Sequence, residues 1–458
     1  MEANISEIDT LKLEAKSLIQ KYKSDKSSIH PFDLKEVVLE LRELDENDYL
    51  KTLRLIPNDL LAEVIAEMPD HLQGEASEKI RKSKLIKITE EMDTDDAATF
   101  IKNVSEQSQS LAEDILQHIT PIEQEVIRNL ISYDEDVAGA HMQTELFSVH
   151  ETEVVGDAIK RLRRLKNEGE IQDISQVFIL NSEDKFVCSI GVEELVLINP
   201  NDSFKSGLDS GKYRRNEVVA DHFEDLKEVL EKALDYNLSV IPVVNENHLL
   251  LGRITSDDIY DFIESQATED MYGLAGVNAE VEQTDDLFEV AKTRATWLGV
   301  NLVTAILASY VVALFDSTIQ SYVSLAILMP IVASMGGNAG TQSLTVTVRQ
   351  LSIGEIDFED AIDTLKKEVI LATGNGFLFA LVIGVLSYLW FKMPLLGVVI
   401  ALSTVLNLVI AGFFGAVIPL VLMKAKIDPA VASTVVLTTI TDIFGFLSFL
   451  GLAKILLV

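Results

Sequence analysis

The stretch SLAILMPIVASMGGNAGTQS, residues 324–343, passes from an apolar run directly into glycines, an asparagine and side-chain hydroxyls and amides, with no charge anywhere in it. Its first half has the composition of a membrane interior. In the second half, glycines let backbones approach closely and leave carbonyls and amides accessible, while Asn338, Thr341, Gln342 and Ser343 offer neutral oxygens. Non-helical backbone at membrane depth is tolerated only where it lines a cavity or is buried in protein. The stretch is therefore expected to form the mouth of a passage, with close helix packing by small residues as the plainer alternative.

Further apolar segments lie on either side of it. Residues 296–315, 318–336, 369–391, 395–423 and 429–455 make five candidate spans, the second shortest in strictly apolar residues, against the roughly 20 that cross a bilayer core. Lys292, Arg294, Arg349, Lys366, Lys367, Lys424 and Lys426 flank one side of these spans, and only Lys392 and Lys454 flank the other. By the positive-inside tendency the N-terminal region is cytoplasmic and the C-terminus outside, in agreement with an odd number of spans.

The rest of the chain has a different character. Mean hydropathy is +0.22 although 24% of the 458 residues are charged, so two unlike regions are being averaged. Only nine of the 72 acids and seven of the 38 bases lie beyond Arg294, which leaves residues 1–294 with a net charge of −32. Such a surplus repels nucleic acid and anionic lipid and makes divalent cations plausible partners. The single cysteine, Cys188, excludes an internal disulfide and fits a reducing compartment. MEANISEIDT has neither a basic start nor an apolar core, so no cleavable signal peptide is expected.

Residues 1–135 show helical periodicity broken by turns with proline or acids, in LIPNDLLAEVI, EMPDHLQGEAS, EMDTDDAATFI and ITPIEQEVIRNLI. A superhelical stack of short helices is expected. From 138 to 265 strand and helix patterns alternate, and QVFILNSEDKFVCSIGVEELVLI (176–198) parallels VIPVVNENHLLLGRITSDDIYDFI (240–263), with polar turns at Asn181 and Asn245. Each copy follows a helix, and the order strand, helix, strand, strand, helix resembles a CBS domain, over 138–200 and again over 201–265. Residues 266–295 read as a connecting helix.

The ionisable residue deepest in an apolar run is Asp442, in TVVLTTITDIFGF. A carboxylate near mid-bilayer costs about 2.5–3.5 kcal/mol on insertion scales, so it should face water or protein. Thr438 and Thr434 fall one and two turns before it on the same helix face, a stripe that suits a pore lining; a helix-capping or helix-bonding Asp is the alternative. Mg2+ takes oxygen ligands, wants octahedral geometry and sheds water reluctantly, so a neutral, roomy mouth with one carboxylate below it suits a hydrated ion.

PIVASMGGNAGTQSLTVTVRQL (330–351), the five spans, the KIDPAVAS turn (426–433), TDIFGF and the upstream helical and CBS regions together resemble the MgtE family of magnesium transporters and channels. The resemblance implies a multidomain membrane protein: a cytosolic α-helical superhelical N domain, an α/β tandem CBS pair, a connecting (plug) helix and five transmembrane helices. It implies a homodimer in a bacterial inner membrane, carrying Mg2+, and the sequence leaves selectivity against Co2+, Mn2+ and Ni2+ open. Its pore residues map to Asp442, Thr438, Thr434, Gly336, Gly337 and Asn338. Its magnesium-sensing acids map to Asp95, Asp225, Asp258, Asp261, Glu269, Asp270, Asp428 and Glu63, while Asn237 and Thr99 stand where the family usually has acids. High intracellular Mg2+ is expected to close the pore, because a divalent ion removes the repulsion between acidic faces, about 4 kcal/mol for two unit charges 4 Å apart at an effective dielectric of 20.

GRITSDD (252–258) matches the pattern with which CBS domains hold adenine nucleotides, implicating Thr255 and Asp258 and making ATP a candidate modulator. A membrane-anchored nucleotide sensor without transport is the alternative function, and Asp442 with its threonines argues against it. The seven histidines form no metal-ligand spacing and no Gly-x-Ser-x-Gly motif occurs, so an enzyme is not expected.

Overall fold

The computed structural model describes residues 2–168, 171, 174–211, 214–282, 287–353, 356 and 361–457. Two compact units emerge, Met1–Phe262 and Ile263–Val458.

The first unit begins with nine α-helices, from Glu2–Ser24 to Pro121–Ile131, each packed on helices one or two places along the chain. The four proline or acid turns read from the sequence each start a helix: Asn58–Ala66 after Pro57, Asp70–Lys79 after Pro69, Thr94–Gln107 after Asp93, and Pro121–Ile131 after Thr120. Thr120 caps its helix, its hydroxyl accepting from the Glu123 amide at 3.4 Å and donating to the Glu123 carboxylate at 2.8 Å. Helix Asn58–Ala66 shows what holds the stack together. Its Leu60, Leu61, Val64 and Ile65 are fully buried, each contributing about 2 kcal/mol of burial.

The duplication recurs at the level of single hydrogen bonds. In the first copy Ser148–His150 runs parallel to Gln176–Leu180, which pairs antiparallel with Phe186–Gly191 and through it with Arg215–Asn216. In the second, Ala220–Asp221 runs parallel to Val240–Val244, itself antiparallel to Leu250–Thr255. Asn181 accepts from the amides of Glu183 and Lys185, and Asn245 accepts from those of Asn247 and Leu249. Asp184 and His248 each follow with φ of 60°, and both copies carry a register shift at the same place in the first strand of the hairpin. Phe178, Phe186, Val240 and Val244 join the copies in one buried cluster.

Two expectations about the connection and the second span need correction. Residues 266–295 are not a single helix: Ser256–Leu274 ends just before Gly276, whose φ of +72° suits glycine, then come Ala279–Glu282 and the start of Leu287–Ala313. Residues 283–286 of that stretch lie outside the described residues. Residues 318–336 do not form one span either; a short helix Asp316–Ser321 precedes Ser324–Ser352. MGGNAGTQS is helical throughout rather than irregular, and Asn407 and Leu437 of neighbouring helices fill the space that Gly336 and Gly340 leave.

Among the described residues four helical segments are long and apolar enough to cross a membrane: Leu287–Ala313, Ala361–Phe391, Pro394–Lys424 and Ser433–Leu456. Helix Ser324–Ser352 has the length, but its polar second half keeps it out of that class. Helix Pro394–Lys424 is the hub of this unit and is packed on Ser324–Ser352, Ala361–Phe391 and Pro429–Leu456.

Candidate functional site

Two helix N-termini in the first unit bring acids together. Asp93, Asp95 and Asp96 sit at the start of Thr94–Gln107, and Asp257 and Asp258 at the start of Ser256–Leu274. Helix N-termini favour negative charge, which makes such pairs tolerable. Asp95 is 6% exposed, and its Oδ1 has no hydrogen-bond partner among the described residues. Burial, then the charges of Asp258 and Asp96, push its carboxyl well above the usual range. Burial pushes Asp258 up to about 6, opposed by hydrogen bonds from the Thr255 hydroxyl at 2.8 Å and amide at 3.1 Å. Asp96 is pushed up to about 7 by burial and by Asp93, Asp258, Asp257 and Glu67. Half-exposed as its surface is, Asp96 feels less of that penalty than Asp95. A buried, unpaired carboxylate oxygen facing like charges is chemistry that a cation completes. No three acids, histidines or cysteines converge as a metal cage among the described residues, but Mg2+ keeps several waters and binds through one or two carboxylates.

The other expected acids are placed elsewhere. Asp261 is exposed, and its charge reaches Asp258. The charge of Glu63 reaches Tyr22 and Lys26, whereas Glu67, one turn on, is among the acids felt by Asp96. Asp225 is the N-cap of Leu226–Tyr236, accepting from the Lys227 amide at 2.8 Å. Asn237 closes that helix at φ of 51°, a left-handed position that Asn tolerates well. In the second unit, Glu269 is exposed and Asp270 partly buried on Ser256–Leu274, and Asp428 caps Pro429–Leu456 by accepting from the Ala430 amide at 2.7 Å. Asp93, Asp96, Asp257 and Glu67 were missed from sequence. The paired acids of TDD and SDD, each opening a helix, were the available signal.

Thr255 and Asp258 bond to each other, and the cavity beside Asp258 holds about 20 Å3 behind apolar walls of Leu226, Val229 and Ile254. That is room for a water. The first copy instead carries a polar cavity of about 250 Å3 lined by Gln176, Ser189, Glu193, Glu194, Arg214 and Asn216. Gln176 Oε1, Ser189 Oγ, Glu194 Oε2 and Asn216 Nδ2 are buried there without partners among the described residues. This pocket was not read from SIGVEEL, because its far wall comes from residues some twenty-five to fifty positions downstream.

In the membrane unit Gly340 packs against Leu437, where an added Cβ would lie 3.1 Å from the leucine methyls. Gly336 and Gly445 both close on Asn407 of the hub helix. Ser324–Ser352 and Pro429–Leu456 are thus antiparallel, with two levels of contact. At 1.5 Å per residue Asp442 stands about 7.5 Å beyond Leu437 and about 4.5 Å short of Gly445, at the depth of Gly337 and Asn338. Asn338 is exposed and Gly337 has open space where a Cβ would stand, but Gly336 is buried away from that face. Ser334, Asn338, Thr341 and Thr345 form an exposed polar stripe. On the partner helix Thr434, Thr438 and Asp442 are partly buried beside the packed stripe of Leu437, Thr441 and Gly445. Thr438 donates to the carbonyl of Thr434 at 3.0 Å, which leaves its oxygen lone pairs free to accept. Thr434 differs: its hydroxyl donates to the carbonyl of Leu274 at 2.8 Å.

A bundle with apolar helices long enough to cross a membrane and a carboxylate, Asp442, bordered by neutral polar stripes, on a chain bearing an acidic helical domain and a duplicated α/β pair, defines a multidomain, multi-pass membrane protein. Family models match in three places: a divalent cation transporter over residues 329–452, an MgtE intracellular N domain over 30–136 and a CBS domain over 212–265. The magnesium transporter MgtE of Bacillus subtilis (strain 168) is 28% identical over 435 residues, 95% of this chain and 94% of the relative. The magnesium transporter MgtE of Thermus thermophilus is 28% identical over 94% of this chain and 93% of the relative. The crystal structure of the cytosolic domain of the Mg2+ channel MgtE in complex with ATP is similar at 23% identity and a TM-score of 0.47, over 54% of this chain and 99% of that one. The chain belongs to the MgtE family.

Proposed function

We propose that this protein carries Mg2+ across a bacterial inner membrane through a pore that two copies of the chain build together, and that intracellular Mg2+ closes it. Ser324–Ser352 is the second of five spans in this reading, with the acidic domains cytoplasmic and the C-terminus outside. The observation that carries it is the exposed polar stripe of Ser334, Asn338, Thr341 and Thr345, with Asp442 at the same depth. Polar side chains cannot face hydrocarbon without large cost, so the stripe needs water or a second copy beside it. Asp442 attracts the ion, while Asn338, Gly337 and the Thr438 oxygen accept hydrogen bonds or contacts from its water shell. Co2+, Mn2+ and Ni2+ would compete on charge and size.

On the cytoplasmic side, Asp95 and Asp258 would hold regulatory Mg2+, supported by the unpaired Oδ1 of Asp95. The ion supplies the positive charge that lets the two acidic helix ends stay together; Asp261, Glu269, Asp270 and Asp428 are further candidates along the same helix and at the membrane unit. ATP as modulator is best accommodated by the polar cavity of the first copy rather than by Thr255 and Asp258. The decisive test is Mg2+ uptake into proteoliposomes. Asp442→Asn should abolish flux while the purified protein elutes as wild type, and undiminished uptake by that variant would refute the pore.

A further inference from the structure

Asn407 lies in the middle of the hub helix Pro394–Lys424 and is 0% exposed. Its Nδ2 donates to the carbonyl of Val332 at 2.9 Å, and its Oδ1 has no partner among the described residues. A Cβ at Gly336 would stand 2.2 Å from Nδ2, and one at Gly445 2.8 Å from it. The carboxamide therefore fills the volume of two absent side chains on two different helices, and ties one of them by a hydrogen bond. Burying an amide with one acceptor unused is unfavourable in an apolar bundle, where a leucine would fill similar space at no such cost.

We propose that Asn407 is a positioning residue: it fixes the register of Ser324–Ser352 against Pro429–Leu456 and thereby holds Asp442 level with Gly337 and Asn338. The proposal rests on the reading of Asp442 as the ion-attracting group of the pore. Gly445 lies less than one turn beyond Asp442, so whatever seats Gly445 seats the carboxylate. A slip of one turn would move Asp442 by about 5.4 Å, out of the level of Asn338. Val332 stands one turn before Gly336, so the hydrogen bond and the close glycine contact grip the same face of the helix. Gly336, expected from the sequence to line the passage, acquires its reason for being glycine from this carboxamide.

The test uses the full chain in proteoliposomes, with Mg2+ as the probe and uptake measured over a range of external concentrations. Asn407→Leu is expected to raise the Mg2+ concentration for half-maximal flux about ten-fold, the factor that one neutral hydrogen bond carries, and to change the Mg2+ to Co2+ flux ratio. Gly336→Ala should lose flux through the clash with Nδ2, and Gly336→Ala combined with Asn407→Ala should recover part of it because the new methyl occupies the vacated space. A wild-type half-saturation and ion ratio for Asn407→Leu overturns the proposal. So does a double variant that elutes as a folded protein yet transports no better than Gly336→Ala alone; this comparison decides the matter if Asn407→Leu aggregates. Asp442→Asn is run alongside. Normal flux there overturns the pore reading, whereas an inert Asp442→Asn with an unaffected Asn407→Leu overturns the positioning role alone.

Discussion

Replacing Asp258 by asparagine should stabilise the metal-free protein and blunt its response to Mg2+. Burial, followed by the charges of Asp257 and Asp261, raises the Asp258 carboxyl from 3.8 to about 6 despite two hydrogen bonds from Thr255. At 1.36 kcal/mol per pKa unit, holding that group ionised in the folded state costs about 3 kcal/mol. Asp95 shifts in the same direction. Asp96 rises to about 7, but its exposed surface screens its share. Because these pKa values lie above those of the unfolded chain, the folded state binds more protons between about pH 4 and 7. The contribution of these acids to metal-free stability is therefore full below about pH 4, is lost progressively as pH rises to 6 to 7, and is flat above. Thermal unfolding of the purified protein in chelator at pH 5, 6, 7 and 8 reads this out. At 2–4 °C per kcal/mol for a unit of this size, Asp258→Asn should melt roughly 6–12 °C above wild type at pH 8, with the gap about halved by pH 5. Added Mg2+ should lift wild type more than the variant. A wild-type melt indifferent to pH in chelator, or a variant melting below wild type at pH 8, would refute the reasoning.

Asp428 permits a separation of roles: Asp428→Asn keeps an N-cap side chain and should preserve stability, whereas Asp428→Ala should lose about 1 kcal/mol. Closure by Mg2+ that survives in Asp428→Asn would assign the residue to capping alone, and its loss would assign it to regulation. In the first α/β copy, Ser189→Leu should fill the polar cavity and remove any effect of ATP on the Mg2+ concentration that closes the pore, measured by uptake with and without nucleotide. An unchanged nucleotide effect would move the site elsewhere.

Local patterns were legible where one short segment supplies all the atoms involved. The helical stack follows from Pro57, Pro69, Asp93 and Thr120, each of which starts a helix in its own neighbourhood. Asn181 and Asn245 could be matched as equivalent turns because each folds its own hairpin. Asp95 and Asp258 were expected through resemblance, but Asp96, Asp93 and Glu67 were not, since the gathering of these acids depends on two helix ends 160 residues apart being brought together. The nucleotide expectation falls on Thr255 and Asp258 because a motif is read along the chain, whereas the roomier of the two cavities, behind Ser189 and Glu194, is walled by residues far apart in sequence.

The sequence by itself determined that this chain has an acidic part and an apolar part, where the helices and hairpins begin, and that one carboxylate, Asp442, lies deep in an apolar run. These follow from hydropathy, charge and capping, which act over a few residues. Only the tertiary structure decided that MGGNAGTQS stays helical, that Gly336 faces inward while Asn338 faces out, and that a lone asparagine in LSTVLNLVI grips two other helices. A glycine's partner, and the side of a helix that meets it, depend on packing between segments far apart in the chain. No local pattern carries that information.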